Sequence, residues 1–164
     1  MPNSILLRHV TESDLPIFFE QQLDPEATAM AAFPPRDRES FMLHWRKIMA
    51  DETVILKTIL FDGQVTGNIV SWETLGEREV GYWVGREFWG RGIATKALTE
   101  YLVIVKTRPL FAHVARHNVA SRRVLEKCGF TMIGEDKFLD RNGNEVEDFI
   151  LKLNGHETSK TETV

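Results

Sequence analysis

The feature that most constrains this chain is residues 79–95, Glu-Val-Gly-Tyr-Trp-Val-Gly-Arg-Glu-Phe-Trp-Gly-Arg-Gly-Ile-Ala-Thr. Glu79 to Val84 reads as a half-buried strand. Gly90-Arg91-Gly92 reads as a turn, and the turn opens directly into an amphipathic helix. The start of a helix presents N–H groups without intrahelical partners and a partial positive charge. Glycines there let a ligand come close to the backbone. Such a strand–turn–helix is a candidate site for a phosphate-bearing ligand.

Two familiar phosphate-binding turns do not fit. A dinucleotide turn needs Gly or Ala where this chain has Thr95, and an acidic residue about 20 positions further on. The stretch Ala112–Ala115 has none. A Walker loop ends in Gly-Lys-Ser/Thr, and Thr95-Lys96-Ala97 does not supply it. A turn whose glycines serve only tight packing remains the alternative.

The flanking pattern places this segment in a larger order. Ile5–Val10 is predicted as a strand, and Thr11 or Ser13 as the cap of a helix carrying Leu15, Phe18, Phe19 and Leu23. Pro34-Pro35 breaks the chain before a second helix marked by Phe41, Trp45, Ile48 and Met49. Val54–Phe61 and Val65–Trp72 read as strands joined by an Asp62-Gly63 hairpin turn. After strand 79–84, a helix is predicted over 92–106, with Ile93, Ala94, Ala97, Leu98, Tyr101, Leu102 and Val105 on its apolar face. Leu110–Ala115 is a strand. Asn118 starts a helix that Gly129 ends, and 130–137 and 145–153 close a hairpin around Asn142-Gly143. The expected architecture is a mixed sheet of about seven strands with helices on both faces. It forms one domain over 1–153, followed by a polar, frayed tail over 154–164.

Composition excludes some partners. A net charge of -4, with no basic stripe interleaved with aromatics, argues against nucleic acid. The single cysteine, Cys128, cannot form an intramolecular disulfide and fits a reducing compartment. No apolar signal core follows Met1, and the run Tyr101–Val105 is too short to span a bilayer. The expectation is a soluble cytoplasmic protein without a membrane partner. His9, His44, His113, His117 and His156 show no metal-ligand spacing, so no metal is expected.

The turn Trp89-Gly90-Arg91-Gly92-Ile93-Ala94 is followed, one strand later, by Asn118-Val119-Ala120-Ser121 and then Glu126-Lys127-Cys128-Gly129-Phe130. These linked motifs resemble the GNAT N-acetyltransferase superfamily, and within it the branch of ribosomal-protein N-terminal alanine acetyltransferases. The resemblance implies an α/β acyl-CoA N-acyltransferase fold around a twisted, mostly antiparallel sheet. It implies acetyl-CoA as the acetyl donor and, as the family commonly shows, a homodimer. The donor's pyrophosphate would rest on the amides of Arg91, Gly92, Ile93, Ala94 and Thr95. Its pantetheine would lie along Tyr82, Trp83 and Val84, where that strand parts from Leu110–Ala115. Asn118 would contact the donor, although it also reads as a simple helix cap. Many members have Gln or Arg where this chain has Trp89, which reads as a core anchor.

Acetyl transfer to an amine needs a neutral nucleophile, alignment, oxyanion stabilisation and a leaving thiolate. The resemblance makes Glu79 the candidate base, with Glu77 and Glu73 as local rivals. It makes Ser121 the candidate acid, because the tyrosine that many members use falls here on Leu125. A backbone N–H near Tyr82 would serve the oxyanion. Tyr101 and Cys128 belong on packed faces, and Arg122-Arg123 on a solvated one. The acceptor is a primary amine, either a protein N-terminus or a small molecule. A peptide α-amine, with a pKa near 7.7–8.0, is about a tenth neutral at pH 7, whereas a lysine amine is only about 0.04% neutral. Residues 11–50 and the closing hairpin are expected to build the acceptor cleft, with Phe33-Pro34-Pro35-Arg36 as one wall. A non-catalytic acyl-CoA sensor and an antibiotic-modifying acetyltransferase are the other readings.

Overall fold

The computed structural model describes residues 4–155, so His156 and all but the first two residues of the expected tail lie outside the described residues. The chain opens with β1 (Ile5–Arg8), a 3-10 turn at Glu12–Asp14, and the helices α1 (Leu15–Leu23), α2 (Pro25–Ala31) and α3 (Arg38–Met49). Strands β2 (Ile55–Phe61), β3 (Gln64–Thr74) and β4 (Glu77–Val84) follow as a meander. A second 3-10 turn (Arg86–Phe88) leads to α4 (Ile93–Ile104), then β5 (Leu110–Ala115), α5 (Val119–Lys127), β6 (Thr131–Leu139) and β7 (Glu145–Leu153). The seven strands lie in the order β1-β2-β3-β4-β5-β7-β6. All neighbours are antiparallel except β4 and β5. The mixed, mostly antiparallel sheet expected from the sequence is therefore present.

Alternation along the strands divides the apolar residues between two faces. Ile59, Ile69, Val80, Leu110, Ala112, Val114 and Leu151 pack with Ile93, Ala97, Leu98 and Tyr101 of α4 and Leu125 of α5. Leu56 packs on the other side with Leu15, Phe18 and Phe19 of α1 and Phe41 and Trp45 of α3. Tyr101 is fully buried, as expected; its hydroxyl donates to Ile55 O at 2.6 Å and lies 2.9 Å from Ser71 Oγ.

A charged tie anchors the α1 side. Asp14 is only 2% exposed, yet it accepts from both Arg8 guanidinium nitrogens, the Thr11 N–H and the Thr58 hydroxyl, all within 2.7–2.9 Å. Burial pushes its carboxyl up, but these donors together outweigh burial and hold it down at about 2.

Helix α2 is a correction to the two-helix opening expected from the sequence. Its signal is local: Asp24 accepts from the N–H groups of Glu26 and Ala27, and Pro25 sits in the first turn. With only seven residues, it carries too short an apolar period to stand out.

Candidate functional site

Strand β4 pairs with β3 over its whole length but with β5 only at Arg78↔Leu110 and Glu79↔Phe111. Beyond Glu79 the two strands part. β5 continues, bonded on its other side to β7 through Ala115. The β5-facing edge of β4 from Val80 to Val84 thus has no strand beside it. Backbone N–H and C=O groups of this kind need partners, and an extended ligand with its own amides supplies them.

The next turn leads to the start of α4. The Gly85 N–H donates to Thr66 O at 2.9 Å, and the Trp89 indole N–H donates to Val84 O at 2.8 Å. Gly90 and Gly92 have φ of +79° and +74°, the left-handed region that glycine adopts most readily. A Cβ built on either one meets nothing within 4 Å. Gly92 is the N-cap of α4 and has no side chain to cap it. By contrast, α2, α3 and α5 are capped by Asp24, Asp37 and Asn118. The first N–H groups of α4 are left available to an anion.

The parted strands and this helix start share one groove of about 460 Å³. Tyr82, Trp83, Val84, Gly92, Ile93, Ala94, Thr95, Asn118 and Ser121 all line it. Arg91 is exposed and does not line it; its guanidinium lies over the Phe88 ring at 5.9 Å. Asn118 accepts from the Ser121 N–H at 3.2 Å, so its side chain caps α5. Trp89 is 41% exposed and lines the groove, which corrects its reading as a core anchor. The Trp83 indole N–H is buried with no partner among the described residues. A buried donor left this way is costly unless a ligand engages it.

Helix α2 also lines the groove, through Ala27, Met30 and Ala31. The His117 ring donates from Nε2 to Ala29 O at 2.8 Å and ties α2 to the loop after β5. The wall segment at 33–36 meets the closing hairpin: Arg141 donates to Pro34 O and lies over the Phe33 ring at 5.2 Å. Nothing local in the sequence signalled either long-range contact.

Two sets of polar groups flank the opening. Tyr82 points toward α5, where its hydroxyl lies 2.8 Å from Ser121 Oγ and 3.2 Å from Ser121 O. Burial pushes the Tyr82 phenol up to about 12, with the Ser121 bond opposing, so it stays protonated. Leu125, where many relatives carry tyrosine, is 1% exposed in the core. Glu79 lies on the opposite face of β4, because Val80 and Tyr82 pack against the α4–α5 core. Burial raises its carboxyl above the usual range; the His113 ring opposes this and Glu77 adds to it. The His113 Nε2 lies 3.6 Å from Glu79 Oε1.

Cys128 is half-buried, with its sulfur 3.8 Å from Thr95 O and 3.7 Å from Thr99 Oγ1, a packing position between α5 and α4. Among the described residues, no cluster of three or more His, Cys, Asp or Glu is placed to hold a metal ion. No helix among them is long and apolar enough to cross a membrane.

Residues 4–131 match the acetyltransferase (GNAT) domain family. The chain belongs to the GNAT acetyltransferases. It is 31% identical over 106 residues to a Bacillus subtilis protein, YdaF, whose name assigns it provisionally to ribosomal N-acetyltransferases. That match covers 60% of this chain and 57% of the relative, so it spans less than two thirds of the curated protein.

The fold recurs in solved structures. The ribosomal-protein-alanine N-acetyltransferase of Brucella melitensis superposes with a TM-score of 0.76 at 22% identity, over 92% of this chain and 99% of that one. The spermidine N-acetyltransferase of Vibrio cholerae, solved with CoA and spermine, superposes with a TM-score of 0.78 at 17% identity, over 92% of this chain and 95% of that one. As a GNAT domain, this chain has its splayed strands and open helix start in one groove.

Proposed function

We propose that this protein is an acetyl-CoA-dependent N-acetyltransferase that moves an acetyl group to a primary amine by direct attack on the thioester. One observation carries this reading: the unpaired β5-facing edge of β4 runs straight into the uncapped start of α4. The residues present fit the donor. The N–H groups from Arg91 to Thr95 would hold its pyrophosphate, and the edge Val80–Val84 would bond the pantetheine amides. The Trp83 indole N–H offers a further donor to the same ligand.

The opening passes between α2 and α5, and this separates the chemical roles. On one face, Glu79 takes a proton from the amine; its raised carboxyl suits that task. On the other face, the paired hydroxyls of Tyr82 and Ser121 supply the proton for the departing thiolate. The backbone N–H of Tyr82 stabilises the oxyanion. A peptide N-terminal α-amine asks least of Glu79, since its pKa lies about 2.5 units below that of lysine.

The test is thiol release from acetyl-CoA with a panel of N-terminal peptides, lysine derivatives, polyamines and aminoglycosides, alongside calorimetry with coenzyme A. Turnover that is fastest with an α-amine is expected. Tight binding without turnover on any amine would favour a sensor, and an absence of binding heat would remove the donor site altogether.

A further inference from the structure

Four titratable side chains cross the open sheet face in a row, one from each of four adjacent strands. They are Glu79 on β4, His113 on β5, Asp148 on β7 and Asp136 on β6. The register puts them there. Glu79 pairs with Phe111, the last contact before β4 and β5 part, and His113 is the next residue of β5 on that face. Asp148 pairs with Ala115 on one side and with Asp136 on the other. His113 Nε2 lies 3.6 Å from Glu79 Oε1, and its Nδ1 lies 3.7 Å from Asp148 Oδ2. The ring is the most exposed of the three side chains, at 31% against 19% for Glu79 and 11% for Asp148.

We propose that His113, held by Asp148, is a proton relay that carries away the proton Glu79 takes from the acceptor amine. The inference rests on the transferase reading above. While substrate covers Glu79, its proton has no direct way to water, and a neighbouring ring lets it leave before product does. In the relay, the amine N–H bond breaks and the proton bonds to a Glu79 oxygen. That O–H bond then breaks and the proton bonds to Nε2 of the neutral ring. The imidazolium, flanked by Asp148 and Asp136, gives the proton to bulk water from its exposed side.

Unliganded sites often show such contacts long, and a small rotation of either side chain closes the Glu79–His113 gap. The nearby Asp148 carboxylate raises the ring's pKa most, burial opposes it, and the charges of Glu79 and Asp136 raise it further. The ring is thus a better proton acceptor than a free imidazole, as a group that takes a proton from Glu79 needs to be.

Two measurements test the relay. The first is turnover of His113→Ala with and without added imidazole. A fall of about tenfold in kcat is expected, with the coenzyme Kd within twofold of wild type, and imidazole restoring at least half of the lost rate. His113→Gln, which fills the space, is expected to lose the same rate without rescue. A wild-type rate in His113→Ala, or a loss that imidazole does not touch, overturns the relay while leaving the transferase intact. The second measurement needs no turnover: NMR titration of the His113 ring in wild type, Glu79→Gln and Asp148→Asn. Its midpoint is expected to fall in both variants, and a midpoint unmoved by either change also overturns the relay. Wild type that acetylates no amine defeats the transferase reading instead, and the titration still decides the coupling.

Discussion

The two edges of β4 are built for opposite purposes. On one edge it pairs with β3 at eight successive positions, from Gly67↔Val84 to Thr74↔Glu77. On the other it pairs with β5 at two. The glycines beside these edges differ accordingly. A Cβ on Gly67 would lie 2.0 Å from Trp83 O, so that glycine is required by crowding on the closed side. Gly92, beyond the open edge, has empty space around it and a φ of +74°, so it is required by backbone conformation. One strand thus has a side where backbones are pressed together and a side where a ligand's backbone can take a neighbour's place. The closed edge holds Tyr82 to Val84 in register with β3, which lets the open edge act as a template.

Substitutions on the two sides should therefore fail differently. Gly67→Ala is expected to do the most damage, because the three nearest atoms, Trp83 O at 2.0 Å, Val84 Cα at 2.9 Å and Trp83 C at 3.0 Å, are all backbone. A loss of about 3 kcal/mol, or roughly 10 °C in Tm by calorimetry, follows from overpacking of this kind. A Tm within 2 °C of wild type would show that the closed edge is looser than described.

Glu79→Gln, at the last paired position, is expected to leave Tm and coenzyme affinity alone while lowering kcat by about 100-fold, the lower end of general-base contributions. An unchanged rate would remove Glu79 from its role.

The tie on the α1 side gives a pH-dependent contrast. The Asp14 carboxyl is lower in the folded chain, about 2, than its ordinary value of 3.8. A depressed folded value means its contribution is complete above the unfolded pKa and is lost as pH falls through about 2. That amounts to about 2 kcal/mol. Denaturant titrations of wild type and Asp14→Asn between pH 5 and 2 should converge toward the acid end. Parallel curves would rule out this carboxylate as the source.

Gly92→Ala is expected to weaken coenzyme A binding about tenfold by calorimetry while costing stability about 1 kcal/mol, the price of a left-handed alanine. Equal binding would mean that the helix start is not where the donor's anion rests. The smallest effect is expected from Tyr82→Phe. It removes one hydrogen bond, costs about 1 kcal/mol of stability, and lowers kcat several-fold without changing the coenzyme Kd. A rate equal to wild type would leave Ser121 to act alone.

Much of the frame was legible because its signals are local. Asp62-Gly63 and Asn142-Gly143 supply the positive φ their hairpin turns need, at Asp62, Gly63 and Gly143. The apolar spacing of Ile93, Ala97, Leu98 and Tyr101 marks the face that α4 buries. The groove's β4 and α4 residues were legible for the same reason, since a strand, a glycine turn and a helix start are continuous in the chain. Trp89 was misread because an indole in an apolar context suggests burial, whereas here its N–H holds the Val84 carbonyl at the groove's edge. Helix α2 was missed because a seven-residue helix shows hardly two turns of periodicity.

The sequence by itself determined which segments close its hairpins at Asp62-Gly63 and Asn142-Gly143, and that one helix begins on glycine without a cap, because each depends on neighbours within a few residues. Only the tertiary structure decided that β4 and β5 part after Glu79, that α2 closes over the gap, and that the Tyr82 hydroxyl meets Ser121 from 39 residues away. It also decided that His113, unremarkable in the chain, stands between Glu79 and Asp148. Those meetings depend on strand order and register, which arise from burying both sheet faces at once, and no short stretch of sequence encodes them.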